Sequence, residues 1–341
     1  MNKKIIGLLV VVVAVAALVL FSINKQKPVV KRQEPQKTVV KKEPFKIGIV
    51  VYPSFGMSYI AKEKGFFQEE GIDVDIVQIS DENQIVSALA SNQVQMLTGT
   101  PDFTTVVADS GVDATQFLFT DIGYGSDGLV VKNDVNDITQ LKGKKVYLSF
   151  GTPSHFLFRY WSQQAGLNSS DVEIINATAD QVGAGFVAGK IDYGMTWEPW
   201  LSKASERKDG KVLMTSKTTP GIVGDSVIVR RDFLEKHREE VKAFMRAYFK
   251  SVAFWNSNKD EANAIIAKNF NIAPEEFAPM MDTVKLLDYN ENLKKFDSSS
   301  ELNIYNLTSK AIDFYSEDGI LKTKPDVNKL IDPSLLNELY K

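Results

Sequence analysis

KIGIVVYPSFGMSYIAKEKGFFQEEGIDVDIVQI, residues 46–79, is the stretch whose reading decides the fold. KIGIVVY (46–52) is an apolar run of the kind that forms a buried strand. Met57–Lys64 has helical spacing with Gly65 as its stop, and VDIVQI (74–79) is a strand again. The alternation continues through a helix at Glu82–Ser91, a strand at 94–98, a helix at Asp102–Asp109 and a strand at 115–120. A second series follows, with strands at 129–132 and 145–149, a helix at His155–Ala165, a strand at 172–176, a helix at Ala179–Ala188, and strands at 191–196, 212–216 and 225–230. Beyond Arg230 the pattern is helical, at 232–257, 259–269, 274–287, 301–317 and a short tail near 334–340. Strand–helix alternation in two series predicts two α/β lobes, each a mostly parallel sheet covered by helices. The chain then crosses between lobes twice, near Gly125–Leu129 and near Gly221–Asp225. This gives lobe 1 as 46–127 with 225–341, and lobe 2 as 128–224.

Composition narrows the function. With 341 residues, 44% hydrophobic and 24% charged, the chain can bury real cores and is neither disordered nor a multi-span transporter. It has no cysteine, which removes disulfides, thiolate metal sites, thiol catalysis and lipid attachment through cysteine; two histidines make a histidine-built metal site a poor expectation. The net charge of -3 hides an asymmetry: residues 1–45 carry nine Lys/Arg against two Glu, while 46–341 hold 31 basic and 41 acidic residues. An acidic body speaks against nucleic acid as a partner, because phosphate binding needs a basic face. No metal and no cofactor is expected.

Lys3 and Lys4 precede an apolar run from Ile5 to Ile23, whose 19 residues rise roughly 28 Å as a helix, about the hydrocarbon thickness of a bilayer. A cleaved signal peptide is the alternative, but its core is shorter and it ends at an Ala-x-Ala-like site, which Phe21-Ser22-Ile23-Asn24 lacks. The expectation is an N-terminal membrane helix, with Asn24–Phe45 as a Lys- and Pro-rich tether and the body outside the cytoplasm. Lys25, Lys27, Lys31 and Arg32 beyond the span run against positive-inside counting, although long domains translocate regardless of flanking charge.

In open α/β sheets ligands bind beyond the carboxyl ends of strands. The loops to inspect are therefore Tyr52–Gly56, Gly99–Asp102, Gly123–Gly128, Gly151–His155, Trp197–Trp200 and Gly221–Asp225. Enzyme motifs fail there. Gly123-Tyr-Gly125-Ser-Asp-Gly128 matches a dinucleotide fingerprint in letters, but a strand and not a helix follows it. Gly185-Phe-Val-Ala-Gly189-Lys190-Ile191 is one residue short of a phosphate loop and lacks its Ser/Thr, so Gly189 reads as a helix cap. His237 sits on a solvated helix face. Thr152 and Pro153 suit a helix start, whose free amides can receive an anion or carbonyl oxygen; an ordinary capped helix explains them equally. Trp197-Glu198-Pro199-Trp200 places a carboxylate between two tryptophans, which suits an amine or donor-rich ring, or packing alone.

Four segments carry a family resemblance: IAKEKGFFQEEGIDVDIV (60–77), DITQLKGKKVYLSFGTPSHF (137–156), IDYGMTWEPWLSKA (191–204) and GDSVIVRRDFLEKH (224–237). From about Lys46 to Ser257 the chain resembles the nitrate/sulfonate/taurine-type substrate-binding proteins of ABC importers, a group related to binding proteins for thiamine-pyrimidine precursors. The resemblance implies a type II periplasmic-binding-protein fold, a hinge cleft closing on a small polar organic ligand (sulfonate- or taurine-like, amine or pyrimidine-like), an ABC permease and ATPase as partners, a monomer, and no catalysis. Carried over by position, the ligand-binding residues would be Tyr52, Ser54, Thr100, Asp102, Gly128, Thr152, Ser154, His155, Trp197, Glu198 and Asp225. None of the candidate loops contains Lys or Arg, which disfavours a bare inorganic anion. The anchor and tether also fit a ligand sensor of a membrane signalling complex, without transport.

Overall fold

A computed structural model describes residues 44–80 and 84–341. The expected membrane segment at 5–23, nearly all of the tether and the first residues of the expected 82–91 helix lie outside the described residues. Among the described residues no helix is long and apolar enough to cross a membrane.

The chain begins with β1 (Phe45–Ile49), α1 (Met57–Glu63), α2 (Phe66–Glu69), β2 (Val74–Gln78), α3 (Ile85–Ala90), β3 (Met96–Gly99), α4 (Pro101–Asp109) and β4 (Ala114–Gly123). It continues with β5 (Asp127–Lys132), β6 (Lys145–Leu148), α5 (Pro153–Gln164), β7 (Glu173–Asn176), α6 (Ala179–Val187), β8 (Tyr193–Trp197), α7 (Trp200–Ala204) and β9 (Gly210–Thr215). Then come β10 (Gly224–Arg230), α8 (Arg231–Lys236), α9 (Arg238–Ser257), α10 (Lys259–Phe270), α11 (Pro274–Met280), β11 (Val284–Leu286), α12 (Tyr289–Lys295), α13 (Ile304–Glu317) and α14 (Ser334–Glu338). The strands form two sheets, β11-β4-β10-β3-β1-β2 and β7-β6-β8-β5-β9. Fully buried Ile47, Met96 and Phe117 centre the first sheet; Leu129, Val146 and Met195 centre the second.

Both sheets are mixed, which corrects the expectation of mostly parallel ones. β1 runs parallel to β2 and β3, but β10 is antiparallel to β3 and β4, and β5 is antiparallel to β8 and β9. Both β5 and β10 arrive from the other sheet, entering where β8 and β3 finish, so they must run against those neighbours. The expected helix at 274–287 stops at Met280; Pro279 lies in its last turn, and the extended-favouring Val284 begins β11 at the free edge of β4. The expected helix at 232–257 breaks at His237, whose ring stacks on Phe233 at 4.4 Å. Gly189 has φ +71° after α6, as a helix cap requires.

The pairing of β4 with β10 carries two register shifts, at Asp225/Ser226 and Val227/Ile228. Such bulges leave backbone groups without ladder partners and bend the strand. Here side chains supply the partners. Asn292 of α12 accepts from Phe119 N–H at 2.8 Å and donates to its carbonyl at 2.9 Å, while the Tyr248 hydroxyl of α9 donates to Thr120 C=O at 2.9 Å. Gly224 begins β10 in a contact that excludes a side chain: a Cβ there would sit 2.4 Å from Phe119.

Because Asn292 satisfies both backbone groups of Phe119 in a buried place, Asn292→Ala should lower the unfolding free energy by about 2–4 kcal/mol. Urea titration of the two proteins measures it.

Candidate ligand-binding cleft

The strand ends face one another across a cavity of about 240 Å³. The first sheet contributes Tyr52 after β1, Thr100 after β3, Phe103 of α4 and Asp225 of β10; the second contributes Asp127, Thr152 and Trp197. The first lobe therefore supplies one wall and the second the other, each from the carboxyl ends of parallel strands or the crossings beside them.

Five of the residues carried over by resemblance line this cavity: Tyr52, Thr100, Thr152, Trp197 and Asp225. Six do not, each for a local reason. Gly128 lies in β5 where a Cβ would come within 2.8 Å of Leu201, so it serves packing against α7. Glu198 is turned away and caps α7, accepting from Ser202 N–H at 3.1 Å and its hydroxyl at 2.9 Å. His155 Nε2 lies 3.0 Å from Asp318, Gly151 N–H donates to its Nδ1 at 3.4 Å, and the ring is stacked between Phe150 and Tyr315. Ser54 and Ser154 are fully buried with hydroxyls that make no well-formed hydrogen bond. Asp102 faces Tyr315 and not the cavity. The Tyr315 hydroxyl is 2.8 Å from both Asp102 Oδ2 and the Thr152 carbonyl, so it bridges the cleft wall from α4 to α5. It has one hydrogen for two acceptors, and satisfies both fully only when Asp102 is protonated and donates in return.

Asp127, Ser149 and Phe150 also line the cavity, and sequence reasoning missed them. Asp127 belongs to a crossing loop already singled out, directly before a strand; that position was its signal. Its carboxylate is oriented by a relay in which Tyr52 O–H donates to Ser126 Oγ at 2.7 Å, and Ser126 O–H donates to Asp127 Oδ2 at 2.7 Å. Ser216, at the start of the return crossing, accepts from Gly125 N–H at 2.8 Å and pins the outgoing one. Thr152 occupies the N-cap position of α5 as expected, but its hydroxyl donates to Ser149 C=O at 2.8 Å instead of capping the helix.

The electrostatics of the cleft are acidic. Asp121 and Asp225 are register partners on β4 and β10, Asp127 follows on β5, and all three are buried. No Lys, Arg or His stands among the described residues lining the cavity. Burial, against hydrogen bonding from Ser126 and aided by the charges of Asp121, Asp102 and Glu198, pushes Asp127 up to about 7. Burial likewise raises Asp102 to about 6 and raises Glu198. Asp225 is held well above the carboxylate range by burial and by the facing Asp121 and Asp127; Asp121 is raised by burial too. Burial and these same carboxyls keep the Tyr52 phenol protonated. Among the described residues no three His, Cys, Asp or Glu side chains are grouped to hold a metal ion.

A family model described as NMT1/THI5 like matches residues 52–262. Over 199 residues the chain is 32% identical to the taurine-binding periplasmic protein of Escherichia coli (strain K12), covering 57% of this chain and 61% of that one. It is 26% identical over 304 residues to a Bacillus subtilis (strain 168) protein named "Putative aliphatic sulfonates-binding protein", covering 86% and 87%. The crystal structure of the periplasmic aliphatic sulphonate binding protein SsuA from Escherichia coli superposes with a TM-score of 0.70 at 18% identity, over 85% of this chain and 92% of that one. The fold is therefore that of periplasmic binding proteins, with two α/β lobes.

Carboxyls raised by burial bind protons in the folded state that the unfolded chain would release. Their contribution to stability is present below the ordinary carboxylate pKa and is lost as pH rises through the folded values, about 6 for Asp102 and about 7 for Asp127. The ligand-free protein should thus melt at a lower temperature at pH 8 than at pH 5, and Asp127→Asn should flatten that dependence. Thermal melts across the range measure both.

Proposed function

The chain belongs to the NMT1/THI5-like family, and from that membership and the shape of its cleft we propose that it is the extracytoplasmic substrate-binding protein of an ABC importer. In this reading it captures a small polar organic molecule between two lobes and releases it unchanged to a permease and ATPase complex. One observation carries the reading: one cavity draws its polar groups from both sheets, Tyr52, Thr100 and Asp225 from one side and Asp127, Thr152 and Trp197 from the other. A ligand that touches both walls binds the closed arrangement better than the open one, and that difference drives closure. The two crossings, 123–127 and 215–224, are the hinge. We take lobe 1 as 46–127 with 225–341 and lobe 2 as 128–224, with Asp127 at the boundary as the first residue of β5. The relatives' names place sulfonate-like and taurine-like molecules within the range to be tried, together with amines and pyrimidines.

The apolar run Ile5–Ile23 supports a further element of the proposal, a membrane anchor that keeps a monomeric binder beside its permease.

A thermal-shift panel of sulfonates, amines, pyrimidines and oxyanions should stabilise the purified protein with at least one class, and small-angle scattering should show a smaller radius with that compound bound. No stabilisation by any class would refute the reading. Trp197→Ala should weaken binding of the stabilising compound by at least about tenfold, because it removes a large part of one wall. Full-length chain should partition with membranes and resist carbonate extraction, whereas recovery in the soluble fraction would remove the anchor.

A further inference from the structure

Building on the binding-protein reading, we infer that Asp225 together with Asp127 forms a subsite for a protonated nitrogen, so that the retained ligand carries an ammonium or amidinium group and a molecule whose only charge is negative is rejected. Two independent features converge on it. The first is an unanswered acceptor: Asp225 is 4% exposed, lines the cavity, and its Oδ2 has no hydrogen-bond partner. A buried carboxylate oxygen without a donor is unfavourable until something brings one. Tyr52, the hydroxyl at hand, spends its proton on Ser126, and Ser126 spends its own on Asp127. Neither can donate to Asp225.

The second feature is the wall around the carboxyls. Tyr52, Phe55, Phe103, Phe150 and Trp197 line the same cavity, and aromatic faces attract a desolvated cation. Anions meet the opposite condition. Asp127 and Asp225 offer them no complementary charge, and no Lys, Arg or His stands among the described lining residues. The amino end of α5, where Thr152 and Pro153 reach the cavity, is left to take the acceptor end of the same molecule.

The groups facing Asp225 set the sign of the pH dependence. They are Asp121 of β4, Asp127 of β5, Asp102 of α4 and, through their phenols, Tyr52 and Tyr248; all five are acids and none is a base. A bound cation lowers the carboxyl pKa values, so amine binding releases protons. Its affinity should rise with pH as the two carboxyls lose the protons that burial holds on them and fall as pH is lowered, by roughly tenfold per unit for each proton released. An anion would bind more tightly as pH falls.

Isothermal titration of the protein with matched pairs tests this. Taurine is set against ethanesulfonate and benzylamine against benzyl alcohol, each in two buffers of different ionisation enthalpy, with nitrate as the bare anion. The expected result is that at least one amine binds with proton release and its nitrogen-free partner binds at least about thirtyfold more weakly. Asp225→Asn should weaken that amine by a similar factor, and Asp127→Asn serves in its place if the first variant fails to fold. Ethanesulfonate or nitrate binding as well as the amines, proton uptake in place of release, or unchanged amine affinity in both variants overturns the inference while the binding-protein reading stands. If none of the five compounds binds, the nitrogen subsite is overturned; if the broad thermal-shift panel is silent as well, the binding-protein reading falls with it.

Discussion

Burial of three carboxyl groups without a basic partner, at the place where the chain passes from one sheet to the other, is the constraint around which the rest is arranged. Asp121 and Asp225 are cross-strand neighbours on adjacent strands, where like charges are unfavourable. Desolvation adds to the cost of ionising either one. The protein responds by holding protons there and by surrounding the carboxyls with hydroxyls, from Thr120, Ser126 and Tyr52, that direct hydrogens toward Asp121 and Asp127. Asp225 Oδ2 and Asp121 Oδ1 are each left without a donor, and of the two residues Asp225 lines the cavity.

The backbone around these groups is irregular in a controlled way. The register shifts between β4 and β10 place Asp121 and Asp225 side by side and leave Thr120 without a register partner, while β11 stops at Asp121 and does not reach Phe119. Asn292, Tyr248 and Leu287 N–H, from the helical half of the first lobe, take those partners' places. The carboxyl-terminal helices therefore do more than cover the sheet: they hold the distortion that presents the acids. Ser216 performs the matching task in the second lobe, joining the return crossing to Gly125 of the outgoing one.

The lobes also meet away from the cavity. Arg159 and His155 of α5 reach Asp318, Arg159 also reaches Glu317, and Tyr315 of α13 bridges Asp102 and Thr152. Arg159 is buried and lies 2.8 Å from Asp318, so this pair is shielded from solvent on both sides. His155 belongs to this contact and does not line the cavity. Its ring packs between two aromatics, which is the setting of a structural histidine.

Much of this was legible in the chain itself. Alternation of apolar strands with helical spacing is a local property, so KIGIVVY, VDIVQI and their successors announce an α/β protein without reference to contacts, and the glycine-rich turns at 123–128 and 221–225 announce the crossings. Topology pointed the loops at the cleft, and the family resemblance picked Tyr52, Thr100, Thr152, Trp197 and Asp225 out of them. Side-chain direction could not. Glu198 turns back to cap α7, Asp102 turns to Tyr315, and Asp127 rather than its neighbour Gly128 faces the cavity, because each outcome depends on partners more than a helical turn away or in another element. Sheet polarity was settled the same way: a strand arriving from the other lobe must enter where its neighbours end, and only the assembled fold says which neighbours those are. Sequence determined the elements and their order, through hydrophobic periodicity; tertiary structure alone decided which acids are buried together, because burial and charge proximity are properties of the packed chain.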